Sequence, residues 1–379
     1  MDMRIFARLP LLLMAMIALV FGVLAGLARL AVVVPEAAAA QAGSHGALMI
    51  AAFLGTVISL ECAVALSRAW PYLAPLGAAL GGLALLAGVP LGTAQALFIV
   101  AAAILTAASV LIVRQQPATH TATLALGALS WLIGCLTWAA TGAIVPAVPW
   151  WMAFLVLTIA GERLELSRFL PTPAVAKRAF ILVIAAMQAG LFATYGSGPF
   201  GLRLFGAALI ALSLWLLRYD IARHTVRQAG LTRYIAVCLL AGYAWLALGG
   251  LLGVLGGLSP DSALRDAALH SVFLGFVFSM IFGHAPIIFP AVGRVKLPYH
   301  PAFYLQLVLL HGSLLARVIG DLGGNLSGDL SGDLSGIAAL RQGAAIANAF
   351  ALLAFVITIV VSVLRGRSAS AKVSAKRGG

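Results

Sequence analysis

The sequence predicts an all-α, polytopic integral membrane protein of about twelve transmembrane helices, with both termini cytoplasmic. Three observations predict it. Of 379 residues, 63% are hydrophobic and only 9% are charged, whereas a soluble chain carries about a quarter charged residues. Apolar stretches long enough to cross the hydrocarbon of a bilayer recur along the whole chain. With the N-terminus placed inside, all but five of the 24 Lys and Arg residues fall on the side of the termini, the five being Arg29, Arg203, Arg265, Arg317 and Arg341. That asymmetry is the excess of cytoplasmic positive charge that orients membrane proteins. The setting it implies is a lipid bilayer, a bacterial-type inner (plasma) membrane crossed many times.

The spanning stretches fall at roughly 9–34, 46–67, 72–90, 94–113, 121–142, 147–166, 176–196, 200–218, 232–257, 264–293, 302–321 and 337–364. The first could imitate a signal peptide, but its apolar run is too long for one and reads as a retained helix. The Gly-rich runs "GAALGG" and "LGGLLGVLGG" read as small-residue helix-packing signals. Residues 1–366 form a single transmembrane domain, and the basic tail 367–379 reads as disordered and cytoplasmic. The outer loop 322–336 holds a short tandem repeat, "LSGDLSGDLSG", whose few carboxylates make a flexible connector rather than a calcium site.

The net charge of +13 does not indicate nucleic acid, because the basic residues lie in short clusters between apolar runs rather than in one patch with aromatics. Cys62, Cys135 and Cys238 are isolated inside apolar segments, so disulfide, zinc and iron–sulfur readings lack a motif. No Walker sequence, GxSxG elbow or HExxH is present.

Ionisable residues at membrane depth carry the functional signal, since placing them there costs free energy. His120, His224 and His300 fall at inner helix ends or loops and read as interfacial. His45 stands at the outer start of helix two, and His270 about 9 Å inside the outer end of helix ten; the two are expected to share an outer layer. His284 and His311, on helices ten and eleven, fall at matched depth near the middle and are expected to be neighbours. Neutral imidazole binds haem iron or copper without bringing charge into the membrane, so His45, His270, His284 and His311 are the candidate metal ligands. Arg317 and Arg341, on the outer halves of the last two helices, are candidates to meet haem propionates or an anionic substrate, with Asp321 as the competing partner for Arg317. Pro286 and Pro290 cannot donate to the carbonyls of Phe282 and Pro286, which predicts a broken, interior helix ten. Glu61, Glu162 and Glu165, with Arg163 and Arg168, read as inner-edge ion pairs.

With His45 in "SHGALM" on helix two and His270 and His284 on a late helix, the chain resembles the NnrS family, twelve-helix haem- and copper-containing membrane proteins linked to nitric-oxide stress and denitrification. More remotely it resembles subunit I of the haem–copper oxidases, which carry histidine ligands on the second and tenth helices. The resemblance implies haem, with copper as a second metal, a small gaseous or redox ligand, His45 and His270 as haem ligands, and His284 and His311 as second-site ligands. Two departures limit it. Ser44 and Gly46 flank His45, where NnrS proteins tend to carry a second histidine, and helices six and seven hold no histidine for a three-histidine copper site. Two other readings stay open: a secondary transporter using the broken stretch 264–293 as its central site, and an assembly or scaffold protein.

Overall fold

In hydrocarbon the backbone can satisfy its own polar groups only in helices or closed barrels, and this chain is rich in Ala and Leu, strong helix formers. In the computed structural model every regular element among the described residues is helical. The structure describes residues 5–168, 170–293, 297–327 and 334–377, so residues 328–333 of the Leu-Ser-Gly-Asp repeat lie outside the described residues.

Where the sequence reads as one domain over 1–366, the helices gather into two compact units, Met1–Leu166 and Ser167–Gly379. The first holds α1 (Ile5–Ala28), α2 (a π-helical stretch Ala47–Leu54 running into an α-helical stretch Gly55–Leu66), α3 (Trp70–Leu86), α4 (Leu91–Gln115), α5 (Thr119–Thr141) and α6 (Val148–Leu166). The second holds α7 (Ala174–Ala193), α8 (Gly198–Tyr219), α9 (Gly230–Val254), α10, α11 (Phe303–Ser327) and α12 (Leu334–Arg377). Helix α10 is built of three pieces: α-helical Arg265–His270, π-helical Ser271–Phe278 and α-helical Ser279–Gly293.

Ten of these helices are long and apolar enough to cross a membrane, and the architecture is that of a multi-pass membrane protein. The other two are α3, which is shorter, and α6, whose end carries Glu162, Arg163 and Glu165. The sequence sets several helix ends directly. Pro90 and Pro173 stand immediately before α4 and α7, where a missing N–H and a fixed φ cost nothing. Gly142 closes α5 at φ +68°, the left-handed cap that glycine tolerates.

Consecutive helices pack together: α3 on α4, α4 on α5 and α5 on α6 in the first unit; α7 on α8, α8 on α9, α9 on α10 and α11 on α12 in the second. The Gly-rich runs do what their composition predicts. A Cβ on Gly206 of α8 would lie 2.8 Å from the Gly250 carbonyl oxygen of α9, and one on Gly82 of α3 would lie 2.7 Å from Ala52 Cβ of α2. Without hydrophobic drive between helices in lipid, such close backbone approach is a main source of packing energy.

Two expectations need correction. Helix α10 is not broken at its prolines: Ser279–Gly293 continues through both Pro286 and Pro290. Its irregularity lies upstream, in the π stretch. The basic tail is also not free of structure, since α12 runs on to Arg377; the segment "SASAKVSAKR" contains no proline and mostly residues that a helix accepts.

Candidate functional site

The four membrane-depth histidines divide by how their rings are held. His45 follows the 3₁₀ turn Ala42–Ser44 and sends Nδ1 to the Gly22 carbonyl of α1 at 2.7 Å. The ring lies flat enough against α1 that a Cβ on Gly26 would be 2.8 Å from its Cε1. His270, the last residue before the π stretch of α10, sends Nδ1 to the Asp266 carbonyl at 2.9 Å, with the Asp266 carboxylate Oδ1 at 3.2 Å. His284 is buried, and its Nδ1 bonds the Met280 carbonyl at 2.8 Å. A carbonyl oxygen only accepts, so in each neutral ring the proton is on Nδ1 and the lone pair is on Nε2. That is the tautomer of a metal-ligating histidine, whose other nitrogen is fixed by a backbone carbonyl or carboxylate.

His311 is held the opposite way. Trp245 of α9 donates its indole N–H to His311 Nδ1 at 2.8 Å, and the two rings lie nearly parallel, 10° apart with centroids at 6.3 Å. Indole nitrogen is a donor only, so Nδ1 accepts and the proton sits on Nε2, which is buried without a hydrogen-bond partner. A metal on that Nε2 would require an imidazolate, so the His311 site does not fit metal ligation. His311 bonds Trp245 of α9, while His284 bonds a carbonyl of its own helix. Trp245 packs on Gly275, whereas Gly283, next to His284, faces Cys238 two turns earlier on α9. His45 and His270 belong to different units.

The π stretches adjoin His45 and His270. Ala47–Leu54 begins two residues after His45, and Ser271–Phe278 begins immediately after His270. π-helical turns are rare and concentrate at functional sites. Around each, the same device recurs. The hydroxyl of Ser59 bonds the Gly55 carbonyl, and that of Ser279 bonds the Gly275 carbonyl. Each glycine makes room for a tryptophan: a Cβ on Gly55 would lie 2.5 Å from Trp131 Cζ2, and one on Gly275 would lie 2.4 Å from Trp245 Cγ. The helices carrying these modules are also the most buried of the spanning ten, 67% for α2 and 78% for α10.

The two arginine candidates are each met by a carboxylate. Arg317, which is buried, forks onto Asp266 Oδ2 through Nε at 2.9 Å and Nη2 at 2.8 Å. Arg341 Nε lies 2.6 Å from Asp321 Oδ1. Arg317 therefore pairs with Asp266, and Arg341 has in Asp321 the local partner that its sequence context does not show. Asp266 thus joins His270 to Arg317. It was legible as the i−4 neighbour of His270 on a helix face, but the choice of Arg317 depends on how α11 docks. Trp245 gives no sequence signal at all, because an isolated tryptophan in an apolar run reads as core. Farther along α11, Asn348 of α12 donates to the Ser313 hydroxyl.

Among the described residues no group of three or more His, Cys, Asp or Glu side chains is placed to hold a metal ion. No curated protein matches the sequence. The model of a family described as a domain of unknown function, DUF8744, matches residues 8–364, and the chain belongs to that family.

Proposed function

We propose that the chain is a twelve-span protein of a bacterial-type inner membrane, with both termini cytoplasmic, that binds haem through histidine and serves a redox, sensing or nitric-oxide-protection role. The observation that carries the reading is the fixing of Nδ1 of His270 on the Asp266 carbonyl and carboxylate, directly before a π-helical stretch. His45 offers the same ligand atom in the first unit through the Gly22 carbonyl. The donor chemistry fits haem iron, which takes a neutral imidazole Nε2 as axial ligand.

Bound haem would supply the iron for electron transfer or for holding a small gaseous ligand. The chain's own part is to orient each imidazole, keep its proton on Nδ1 and, at His270, raise ligand basicity through Asp266. Arg317 draws on the same carboxylate and so tempers that effect. Copper at a His284–His311 pair is not carried forward, because Trp245 holds His311 in the wrong tautomer. A transport role would have to rest on the π stretch of α10, since the helix continues through its prolines.

The optical spectrum of protein purified from haem-replete cells tests this. The expected result is a Soret band that is lost or shifted in His270→Ala or in His45→Ala. An iron-free, colourless preparation, or a band unchanged in both variants, overturns the reading.

A further inference from the structure

At the end of α9 farthest from His270, the second unit holds an open cavity of about 570 Å³, lined by Ala229, Gly230, Arg233, Val237, Tyr299 and Tyr304. The volume is in the range of small-ligand pockets. The lining has a definite polarity. Arg233 is exposed at one end and Val237, one turn along α9, forms the other. Two tyrosines stand opposite, within an aromatic cluster where Tyr234 meets Phe303 at 5.4 Å and Tyr304 at 5.3 Å between ring centroids. No acidic residue lines the cavity among the described residues, so the guanidinium there faces phenols and apolar groups rather than a carboxylate.

From this geometry we infer a binding site for the phosphate headgroup of an anionic phospholipid. Arg233 supplies a fixed positive charge, and the Tyr299 and Tyr304 phenols supply donors for phosphate oxygens. The first amides of the 25-residue α9 lie beside them, with no side chain capping them, and they add their partial positive charge. Lipid is favoured over free phosphate because of where the cavity lies and what closes it. The spanning stretches Gly230–Val254 and Phe303–Gly323 both begin at its rim, which puts it at headgroup level. Val237 and the aromatic wall then face the glycerol and the first acyl carbons, for which inorganic phosphate has no counterpart. The site requires a chain that spans a bilayer and is independent of haem.

The test is native mass spectrometry of the full chain released from detergent, titrated with phosphatidylglycerol or phosphatidylcholine. Wild type is expected to prefer phosphatidylglycerol. Arg233→Ala should weaken that binding about fivefold, the factor corresponding to roughly 1 kcal/mol per basic residue near a membrane surface. Arg233→Lys should keep most of it, and Arg178→Ala, an equal loss of charge on an exposed residue of α7, should keep all of it. Binding unchanged in Arg233→Ala, or weakened as much in Arg178→Ala, overturns the site. Displacement of the lipid by excess inorganic phosphate overturns the lipid assignment, and its persistence supports it.

Discussion

His45 and His270, one in each unit, are built with the same local device and supported differently. Each adjoins an eight-residue π stretch, and each π stretch lies by a glycine that admits a tryptophan and by a serine that returns its hydroxyl to that glycine's carbonyl. His270 is oriented from within its own helix, by Asp266 four residues earlier, and that carboxylate is in turn clamped by Arg317. His45 is oriented from outside its helix, by the Gly22 carbonyl and the bare face of Gly26 on α1. The tryptophans differ likewise: Trp245 donates to His311, whereas the indole N–H of Trp131 is buried with no hydrogen-bond partner. The difference teaches that the second unit ties its histidine into a charged network. The first seats its histidine on a backbone carbonyl and a bare glycine face of α1, so the two should fail under different substitutions.

Breaking the charged network should have the largest effect. Asp266→Asn leaves the buried Arg317 guanidinium without its anion, which should cost about 3 kcal/mol, the lower end of the range for breaking a buried pair because Asp266 is 31% exposed. Thermal unfolding in detergent measures it, and Asp266→Asn with Arg317→Met should recover much of the loss. A single variant as stable as wild type would show that the network does not support α10.

Next come the tryptophan seats. Gly275→Ala and Gly55→Ala each place a methyl 2.4–2.5 Å from an indole carbon, and each should destabilise by about 1–3 kcal/mol through overpacking. If the two modules are equivalent, the losses should match; a much smaller loss at Gly55 would mean that Trp131 yields more easily than Trp245. Trp245→Phe should cost about 1–2 kcal/mol by removing the hydrogen bond to His311 Nδ1. The corresponding Trp131→Phe should cost less, since no hydrogen bond is lost there. Gly26→Ala sharpens the comparison further: it pushes on the His45 ring and leaves the Asp266–His270–Arg317 network alone, so the Soret band of the proposed haem should change as in His45→Ala, at a smaller size. Smallest of all, Pro286→Ala should shift stability by less than about 1 kcal/mol, because the helix already runs through that position.

Much of the fold was legible in the order of residues. Apolar length marked most of the helices to within a few residues, although α1 stops at Ala28 and α12 runs on to Arg377; proline and glycine marked several of their ends, and the Gly-rich runs at 77–82 and 248–257 do pack helix to helix. Pro286 and Pro290 misled, because a missing N–H weakens a buried helix without ending it when neighbouring turns continue. The π stretches had no signal, since "ALMIAAFL" and "SVFLGFVF" read as ordinary apolar helix. Depth alone could place four histidines in layers, but it could not give any ring a partner.

By itself, the sequence determined that the chain is helical, spans a bilayer many times and carries histidines where charge is costly, because hydrocarbon leaves an apolar backbone few alternatives. Only the tertiary structure decided which nitrogen of each ring holds the proton. That choice rests on single contacts from neighbouring turns and helices: the Gly22 carbonyl for His45, Asp266 for His270, the Met280 carbonyl for His284 and the Trp245 indole for His311. A carbonyl leaves Nε2 a lone pair and an indole N–H leaves it a proton, so one residue type offers an acceptor or a donor at that atom according to what is packed beside it.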